Sequence, residues 1–435
     1  MRALATLPRP VAATTATTAA ASPRAFFSGF RPSVVLPRVP SAKPLRLSER
    51  QRAELGRSGA GGRHTRAMAS GSAAGSGSAA AAYADEVVAA ENAVRLACAL
   101  CETVQRGLKA EESASKSDES PVTIADYGSQ VLVAWALQQH GLPGPFSMVA
   151  EEDSSQLTTP GGRSMLQRIT ALVNATIAAS AEWGALGVVL SEGEVVALID
   201  AGAAQGGKSG RHWVLDPIDG TRGFMRGDQY AVALGLLDEG EVVVGVLGCP
   251  NLPSASIARG VEAAVATGQP VGCVFSAVRG RGTTVQALDG SVPTQHVHVS
   301  TESNPASAIF CESYESRHSK HTLTASIAQA LGVVAPPVRI DSQAKYGAMA
   351  RGDAAIYMRF PLDGYREKIW DHAAGSLVIS EAGGKVCDAA GQPLDFSRGR
   401  FLDLDTGIIA TNATLMPVLL STVQSALKRE APLQS

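Results

Sequence analysis

Acidic residues are almost missing from the first 66 positions of this chain, and basic residues are in deficit after them. The N-terminal segment holds twelve Lys and Arg residues, whereas Glu49 and Glu54 are its only acids. Subtracting both groups from the totals of 38 basic and 40 acidic residues leaves the remainder with a net charge of −12. Long nucleic acids bind to basic surfaces, so this balance predicts that the remainder does not bind them.

The N-terminal segment also lacks a long apolar run, which excludes a membrane anchor or a secretory signal within it. Its Arg, Ser, Thr, Ala and Pro content predicts that residues 1–67 are a disordered transit peptide. Pro and Ser interrupt any long amphipathic helix, which favours the chloroplast as destination, with the mitochondrion as the alternative. Residues 68–82, rich in Ala, Gly and Ser, are predicted to be a linker. Translation from Met68 would give a cytosolic form, and a disordered arm without a targeting role is the remaining alternative.

The six cysteines include no double pair of the kind that binds zinc. Cys98 and Cys101 are separated by two residues, and they share one helical face with Val87 and Val94. This spacing predicts thiols buried in a core. A regulatory role for these thiols is the alternative.

The length of 435 residues is too great for one ordinary core and predicts two lobes. Residues 83–300 are predicted to form an α+β lobe with a largely antiparallel sheet. Residues 301–430 alternate between strand and helix patterns, which predicts an α/β lobe. Within the first lobe we predict a strand over Glu194–Asp200 and a helix over Ile124–His140, which would have Asp126 in its first turn.

Four short stretches place carboxylates where a predicted strand ends or a predicted helix begins. Their acids are Asp126, Glu151, the pair Asp216 and Asp219, and Asp371. Crowded carboxylates repel one another and usually need a cation to neutralise them. Oxygen ligands without Cys or His favour Mg²⁺, Ca²⁺ or Mn²⁺ over Zn²⁺. The pattern therefore predicts a magnesium-dependent phosphate-ester hydrolase.

The segment Asp216–Thr221 explains how two of these carboxylates could meet. Pro217 stops a strand and fixes a bend, so that both Asp side chains and the carbonyl of Ile218 converge on cations. Gly220 and Thr221 would then begin a helix whose free N–H groups suit a phosphate, and Asp371 would similarly precede a helix. Taken singly, these acids are also compatible with helix caps, an Asx turn or a solvated strand end.

The segment Asp216–Thr221, together with Glu151 and Trp370–Gly375, resembles the lithium-sensitive, magnesium-dependent phosphatase superfamily. That superfamily includes inositol monophosphatases and fructose 1,6-bisphosphatases. Four longer segments are similar to its 3′(2′),5′-bisphosphate nucleotidase branch, namely Lys116–Tyr127, Asp219–Phe224, Asp341–Tyr346 and Glu367–His372. The resemblance covers roughly residues 84–428. It departs from the family pattern at Ala150, where the family often has Gly.

The resemblance implies a layered αβαβα fold and hydrolysis of the 3′-phosphate of 3′-phosphoadenosine 5′-phosphate to AMP and phosphate. It extends to 3′-phosphoadenosine 5′-phosphosulfate as a further substrate, and it implies two or three Mg²⁺ ions per site. The implied metal ligands, most of them in the first lobe, are Glu151, Asp216, the Ile218 carbonyl, Asp219 and Asp371. The residues that would orient and deprotonate the attacking water are Asp126 and Thr221. The implied substrate contacts are Gly220, Thr221, His318, Ser342, Lys345, Arg359 and Asp371.

Alternatives remain for some of these roles. The spacing around His318 differs from the family pattern, which leaves His321 as its rival. Lys345 could instead be a solvated lysine, and Arg359 could pair with a surface acid. The expected partner is a small nucleotide bisphosphate. An inositol polyphosphate 1-phosphatase or inositol monophosphatase activity is the alternative, and the sequence predicts no oligomeric state.

Residues 202–209 fit the Walker A pattern, so a P-loop NTPase is a remote alternative. A true P-loop continues into a helix from its lysine, whereas Gly210 and a predicted strand at Trp213–Leu215 follow Lys208 here. A nucleotide sensor without turnover is a second alternative. The predicted catalytic positions all carry the acidic or hydroxyl groups that catalysis needs, which favours an enzyme.

Overall fold

The computed structural model describes residues 82–111, 121–314, 321–362, 364–404 and 406–430. The predicted transit peptide, His318, and the predicted linker apart from residue 82 lie outside the described residues. Among the helices in these ranges, none is both long and apolar enough to cross a membrane.

The first half of the described chain forms one large sheet and the helices that cover it. Its elements in chain order are α1 (Ala84–Glu111), α2 (Pro121–His140), β1 (Met148–Ala150), α3 (Arg163–Ala179), α4 (Glu192–Asp200), β2 (Arg211–Asp219), α5 (Thr221–Arg226), β3 (Ala231–Asp238), β4 (Glu241–Pro253), α6 (Val261–Val265), β5 (Val271–Val278), β6 (Thr283–Ala287) and β7 (Gln295–Val297).

The second half alternates between short strands and helices. Its elements are β8 (Phe310–Glu312), α7 (His321–Ala330), β9 (Val338–Arg339), α8 (Ala344–Ala350), β10 (Ile356–Arg359), β11 (Glu367–Lys368), α9 (Ala373–Glu381), β12 (Gly384–Asp388), β13 (Phe401–Leu402), β14 (Ile408–Asn412) and α10 (Met416–Glu430).

The large sheet has seven strands in the chain order β1 to β7. Strands β1 and β2 are parallel, and every later neighbour pair is antiparallel, so the predicted antiparallel character is confirmed. Strands β3 and β4 form a hairpin and are joined by Glu239 and Gly240. Both residues have positive φ, at 50° and 80°, as a two-residue hairpin turn requires.

The second sheet has five strands in the order β12-β14-β10-β8-β9. Strand β10 runs parallel to β8 and antiparallel to β14, so this sheet is mixed. A separate two-stranded ribbon pairs β11 with β13, opposing Lys368 and Phe401. The lobe boundary predicted near residue 300 falls between the last strand of the large sheet and the first strand of the five-stranded sheet.

Three buried apolar clusters show how the layers stack. The first joins Leu100 of α1 and Leu132 of α2 to the large sheet. The second lies between the two sheets and includes Ile379 of α9. The third places Leu419 of α10 against the outer face of the second sheet. The order helix, sheet, helix, sheet, helix confirms the predicted αβαβα fold.

The cysteine prediction is also confirmed by the core packing. Cys98 and Cys101 are fully buried, and all six cysteines are buried and free. Burial raises the pKa of the Cys98 thiol well above its usual range, which disfavours the reactive thiolate.

The strand predicted over Glu194–Asp200 is wrong, because this segment is the helix α4. Ser191 caps it, accepting a hydrogen bond from the Glu194 backbone N–H while the Glu194 carboxylate accepts from the Ser191 N–H. The capping box therefore overrides an apolar run that suits either structure. Helix α2 begins at Pro121, three residues before the prediction, so Asp126 lies in its second turn. Proline is well tolerated in a first helical turn.

The Walker A interpretation is excluded by the local structure. Residues 202–209 follow helix α4 and lead into strand β2, whereas a P-loop joins a strand to a helix. Ala203 instead forms an antiparallel bridge with Val149 of β1.

Candidate active site

A cavity of about 430 Å³ opens at the ends of β2 and β10 and at the start of α9. Ten of the predicted site residues line it, and they are Glu151, Asp216, Ile218, Asp219, Gly220, Thr221, Ser342, Lys345, Arg359 and Asp371. Asp126 is not among the lining residues, and His318 lies outside the described residues. The structure thus gathers segments that are more than 200 positions apart in the chain.

The end of β2 brings Asp216 and Asp219 to the same cavity. The register with β3 shifts between these two residues, at the position of Pro217. The prediction that the strand stops at Pro217 is wrong. The strand continues to Asp219, and an irregularity within it supplies the bend. The freed carbonyl of Pro217 accepts a hydrogen bond from the buried Ser129 hydroxyl at 2.9 Å.

Gly220 follows with φ of 86°, a conformation that side-chain-bearing residues rarely adopt. A Cβ at this position would lie 2.8 Å from Cβ of Ser342, so glycine is also needed for close packing. Ser342 itself has φ of 67° although it carries a side chain. Thr221 begins α5 as predicted, and its hydroxyl donates to the Ile218 carbonyl at 3.4 Å.

Asp216 gives the strongest indication of a metal site in the cavity. Its side chain is 3% exposed, and its Oδ1 atom has no hydrogen-bond partner within the part of the chain that the structure describes. Burial, followed by the charges of Glu151 and Asp219, raises its pKa well above the usual range. A buried carboxylate oxygen without a donor is costly unless a cation binds it. The residues present therefore fit a divalent metal ion.

The other predicted metal ligands share this electrostatic environment. Burial and then Asp219 raise the pKa of Asp371 to about 8. Partial desolvation in the cavity, followed by the charge of Asp219, also raises the pKa of Glu151, and solvent still reaches this residue. Burial raises the pKa of Asp219, and its Oδ2 accepts a hydrogen bond from the Gln343 backbone N–H at 2.6 Å. Four acids that resist ionisation together form an oxygen-only set of the kind that Mg²⁺ and Mn²⁺ prefer.

Asp126 is buried on α2, where burial and the charges of Glu152 and Glu151 raise its pKa well above the usual range. One turn further along the helix, Gln130 accepts a hydrogen bond from the Glu152 N–H at 3.1 Å and donates to its carbonyl at 2.9 Å. Helix α2 therefore fixes the backbone next to Glu151. The catalytic role of Asp126 stays a prediction.

A second acidic group near the cavity contains Glu367, Asp371 and His372, whose ligand atoms lie within 4.8 Å of one another. Glu367 already accepts two hydrogen bonds from Arg359, at 2.6 and 2.9 Å, and contacts Nε2 of His372 at 3.1 Å. Burial opposes its ionisation, but His372 and Arg359 outweigh burial and lower the pKa of Glu367 to about 2. Both oxygens of Glu367 are thus already paired with Arg359 and His372, and Glu367 does not line the cavity, whereas Asp371 does.

Sequence reasoning assigned no role to this network. Arg359 is paired with an acid, but Glu367 is 1% exposed and is not a surface residue. His372 continues the network through Nδ1, which lies 2.8 Å from the Tyr346 hydroxyl. The one available signal was the presence of Glu367 and His372 in the quoted motif around Asp371.

Lys345 is buried, with 3% of its surface exposed, so the solvated-lysine interpretation is wrong. Its ammonium donates to the Ile340 carbonyl at 3.4 Å and lies 5.8 Å from the Tyr357 ring centroid. Burial lowers the pKa of Lys345, while Asp219 opposes that shift. The cavity therefore combines an acidic wall with buried cationic donors, which suits a phosphate ester held beside metal ions.

Further residues line the cavity for which the sequence predicted no role, because only the tertiary fold brings them together. They are Arg222, Glu312, Ser313, Thr324, Met358, Tyr357 and Tyr365.

Sequence comparison defines the class of this protein. The chain matches the inositol monophosphatase family over residues 83–428, and it therefore belongs to that family. It is 58% identical over 349 residues to the 3′(2′),5′-bisphosphate nucleotidase of Oryza sativa, covering 80% of this chain and 96% of that protein. It is 56% identical over 349 residues to 3′(2′),5′-bisphosphate nucleotidase 1 of Arabidopsis thaliana, covering 80% and 98%. A 3′(2′),5′-bisphosphate nucleotidase of Emericella nidulans is 42% identical over 354 residues, covering 80% and 99%.

Proposed function

We propose that this chain is a magnesium-dependent 3′(2′),5′-bisphosphate nucleotidase. It hydrolyses the 3′-phosphate of 3′-phosphoadenosine 5′-phosphate to AMP and phosphate, and it also accepts 3′-phosphoadenosine 5′-phosphosulfate. The observation that carries the proposal is the buried Oδ1 atom of Asp216, which has no hydrogen-bond partner among the described residues, in a cavity shared by further acids and by the cations Lys345 and Arg359. The names of the plant and fungal relatives support the nucleotide as substrate.

The ligands for two or three Mg²⁺ ions would be Glu151, Asp216, the Ile218 carbonyl, Asp219 and Asp371. Bound there, the metal ions would neutralise phosphate oxygens and acidify a water molecule. Thr221 lies on the cavity wall and can orient that water, together with Asp126 in the proposed reaction. Lys345 and Arg359 supply charged donors for the nucleotide, and Gly220 and Ser342 line the same cavity.

Arg359 is preorganised for this task. Its two hydrogen bonds to Glu367 fix the plane of the guanidinium, and it lies 5.7 Å from the Tyr365 ring centroid. A donor that is already held in place loses less conformational entropy when a ligand binds. The Arg-rich residues 1–67 support import into the chloroplast as a further part of this proposal.

The test is a substrate comparison with the purified full-length protein. Phosphate release is measured from 3′-phosphoadenosine 5′-phosphate, inositol 1-phosphate and inositol 1,4-bisphosphate, with Mg²⁺, with EDTA, and with added Li⁺. We expect the nucleotide to be preferred, EDTA to abolish turnover and Li⁺ to inhibit it. An Asp216→Asn preparation controls for contaminating phosphatases. Turnover of inositol 1-phosphate without nucleotide turnover would refute the proposal, as would tight nucleotide binding without turnover.

A further inference from the structure

Arg400 lies immediately before β13, and its guanidinium contacts three backbone carbonyls of the large-sheet half. Nη1 donates to the carbonyls of Gly202 and Ala204 at 3.2 and 3.1 Å, and Nη2 donates to the carbonyl of Ala150. The side chain is half-buried. The Arg400 side chain, from the second half of the chain, therefore binds both the end of β1 and the adjacent loop at residues 202–204.

The same residue also contacts the segment that carries Asp371. The guanidinium carbon lies 4.8 Å from the ring centroid of Trp370, and the Arg400 carbonyl accepts a hydrogen bond from the Ile369 N–H at 3.2 Å. Nζ of Lys368 lies 5.8 Å from the Trp370 ring centroid and 3.9 Å from the Phe401 ring centroid. Because Arg400 directly precedes β13 and Trp370 follows shortly after β11, the pairing of these two strands keeps both side chains close together.

The contacted residues stand directly before two predicted metal ligands. Ala150 precedes Glu151, and Trp370 precedes Asp371. We propose that Arg400 is a positioning residue, whose guanidinium fixes the Ala150 carbonyl and the Trp370 ring so that the carboxylates of Glu151 and Asp371 face the same cavity. This inference rests on the proposed metal-dependent hydrolysis, and it concerns the supporting residues of that site. Such supporting contacts typically change metal affinity or activity by about tenfold to a hundredfold.

The same contacts show what the loop at residues 202–209, which matches the Walker A pattern, does in this structure. The Gly202 carbonyl accepts a hydrogen bond from the Ala150 N–H at 2.9 Å, and the Ala204 N–H donates to the Met148 carbonyl at 3.1 Å. A Cβ at Gly202 would lie 2.8 Å from the Ala150 side chain, which explains the glycine. The loop pairs with β1 through an isolated bridge between Ala203 and Val149, next to Glu151, and Arg400 connects it to the second half of the chain.

Arginine suits this position better than lysine does. A planar guanidinium presents five N–H donors in a fixed fork and can stack on an aromatic ring at the same time. A lysine ammonium is a compact charge that cannot reach three carbonyls and cover the ring together. Arg400→Lys therefore separates a positioning role from a role that needs only positive charge.

The experiment measures metal binding directly as well as catalysis. Mn²⁺ binding to the full-length protein is followed by electron paramagnetic resonance for the wild type, Arg400→Lys and Arg400→Gln. Turnover is measured in parallel with 3′-phosphoadenosine 5′-phosphate. We expect both variants to bind Mn²⁺ at least about tenfold more weakly, with a lower kcat and with KM for the nucleotide within about threefold. Arg398→Gln, which removes a charge from an arginine with a 62% exposed side chain, should match the wild type.

Circular dichroism and thermal melting establish that each variant is folded. If Arg400→Gln does not fold, Arg400→Lys and Trp370→Phe decide the question, since Phe preserves an aromatic ring with a weaker attraction for cations. Mn²⁺ affinity and kcat within twofold of wild type in folded Arg400→Lys would overturn the proposal. A raised KM with unchanged Mn²⁺ affinity would also overturn it, because Arg400 would then contact substrate. If the wild type binds Mn²⁺ but does not hydrolyse the nucleotide, the proposed function fails while the Mn²⁺ comparison still decides the role of Arg400.

Discussion

Replacing Glu367 by Gln tests how much a buried charge network beside the cavity contributes to the stability of the fold. Glu367 is 1% exposed and accepts hydrogen bonds from Arg359 at 2.6 and 2.9 Å. It also contacts Nε2 of His372 at 3.1 Å. The amide has nearly the same shape as the carboxylate, so the substitution removes charge with little change in packing. It leaves the Arg359 guanidinium buried without its counter-charge.

The structure gives the size of the effect by two routes. A pKa lowered from 4.5 to about 2 corresponds to roughly 3 kcal/mol of stability at neutral pH. Breaking a buried ion pair by removing one partner typically costs about 3–5 kcal/mol. We therefore expect Glu367→Gln to lower the free energy of unfolding by about 3 kcal/mol at pH 7.

The assay is urea denaturation followed by circular dichroism, in EDTA so that metal binding does not contribute to stability. Because the folded pKa of Glu367 is lowered, its contribution is present above the unfolded value of 4.5 and is lost as the pH falls towards 2. The difference between wild type and Glu367→Gln should therefore narrow by about 1 kcal/mol between pH 7 and pH 4.

The matched control is Glu241→Gln. The Glu241 side chain is 70% exposed and pairs with Arg279 at 3.0 Å, and an exposed pair contributes less than about 1 kcal/mol. A loss in Glu367→Gln no larger than in Glu241→Gln would refute the reasoning. So would a difference from wild type that widens as the pH falls.

Two further substitutions test the acidic and cationic walls separately. Asp216→Asn should lower kcat by more than about a thousandfold while the protein folds, because it removes a proposed metal ligand without changing the shape of the side chain. In EDTA at pH 8, the same variant should melt at a higher temperature than wild type, because it removes a buried carboxyl group whose pKa is raised. Activity of Asp216→Asn within tenfold of wild type would contradict the proposed metal site. Lys345→Ala should raise KM for the nucleotide at least about tenfold but KM for p-nitrophenyl phosphate much less, as steady-state kinetics would show. Equal effects on both substrates would place Lys345 outside the nucleoside pocket.

The parts of the site that the sequence predicted are those encoded in short, continuous segments. The run Asp216–Thr221 contains its own bend, its positive-φ glycine and its helix start, so local rules were enough to predict that its acids converge. Asp371 was predicted for the same reason, because it lies next to His372, the N-cap of the helix that begins at Ala373. The observed bend differs from the predicted one in one respect, because the strand continues past Pro217 with a register shift and does not end there.

The parts that the sequence could not predict depend on contacts between distant segments. Strands β11 and β13 have two residues each, too few for any periodicity, and they form because they pair with each other. The network of Glu367, Arg359 and His372 exists only once β10, β11 and α9 meet. The segment Glu194–Asp200 was misassigned because its apolar run has no clear period, and the capping residue Ser191 decided its structure.

The position of β14 has a consequence for protein synthesis. This strand, the last one within the described residues, lies between β12 and β10 and not at an edge of its sheet. That sheet therefore cannot close during synthesis until the chain through Asn412 has left the ribosome. Incomplete translation products that end before Ile408 would lack an interior strand, and we expect quality-control proteases to remove them before they act on any cellular phosphate ester.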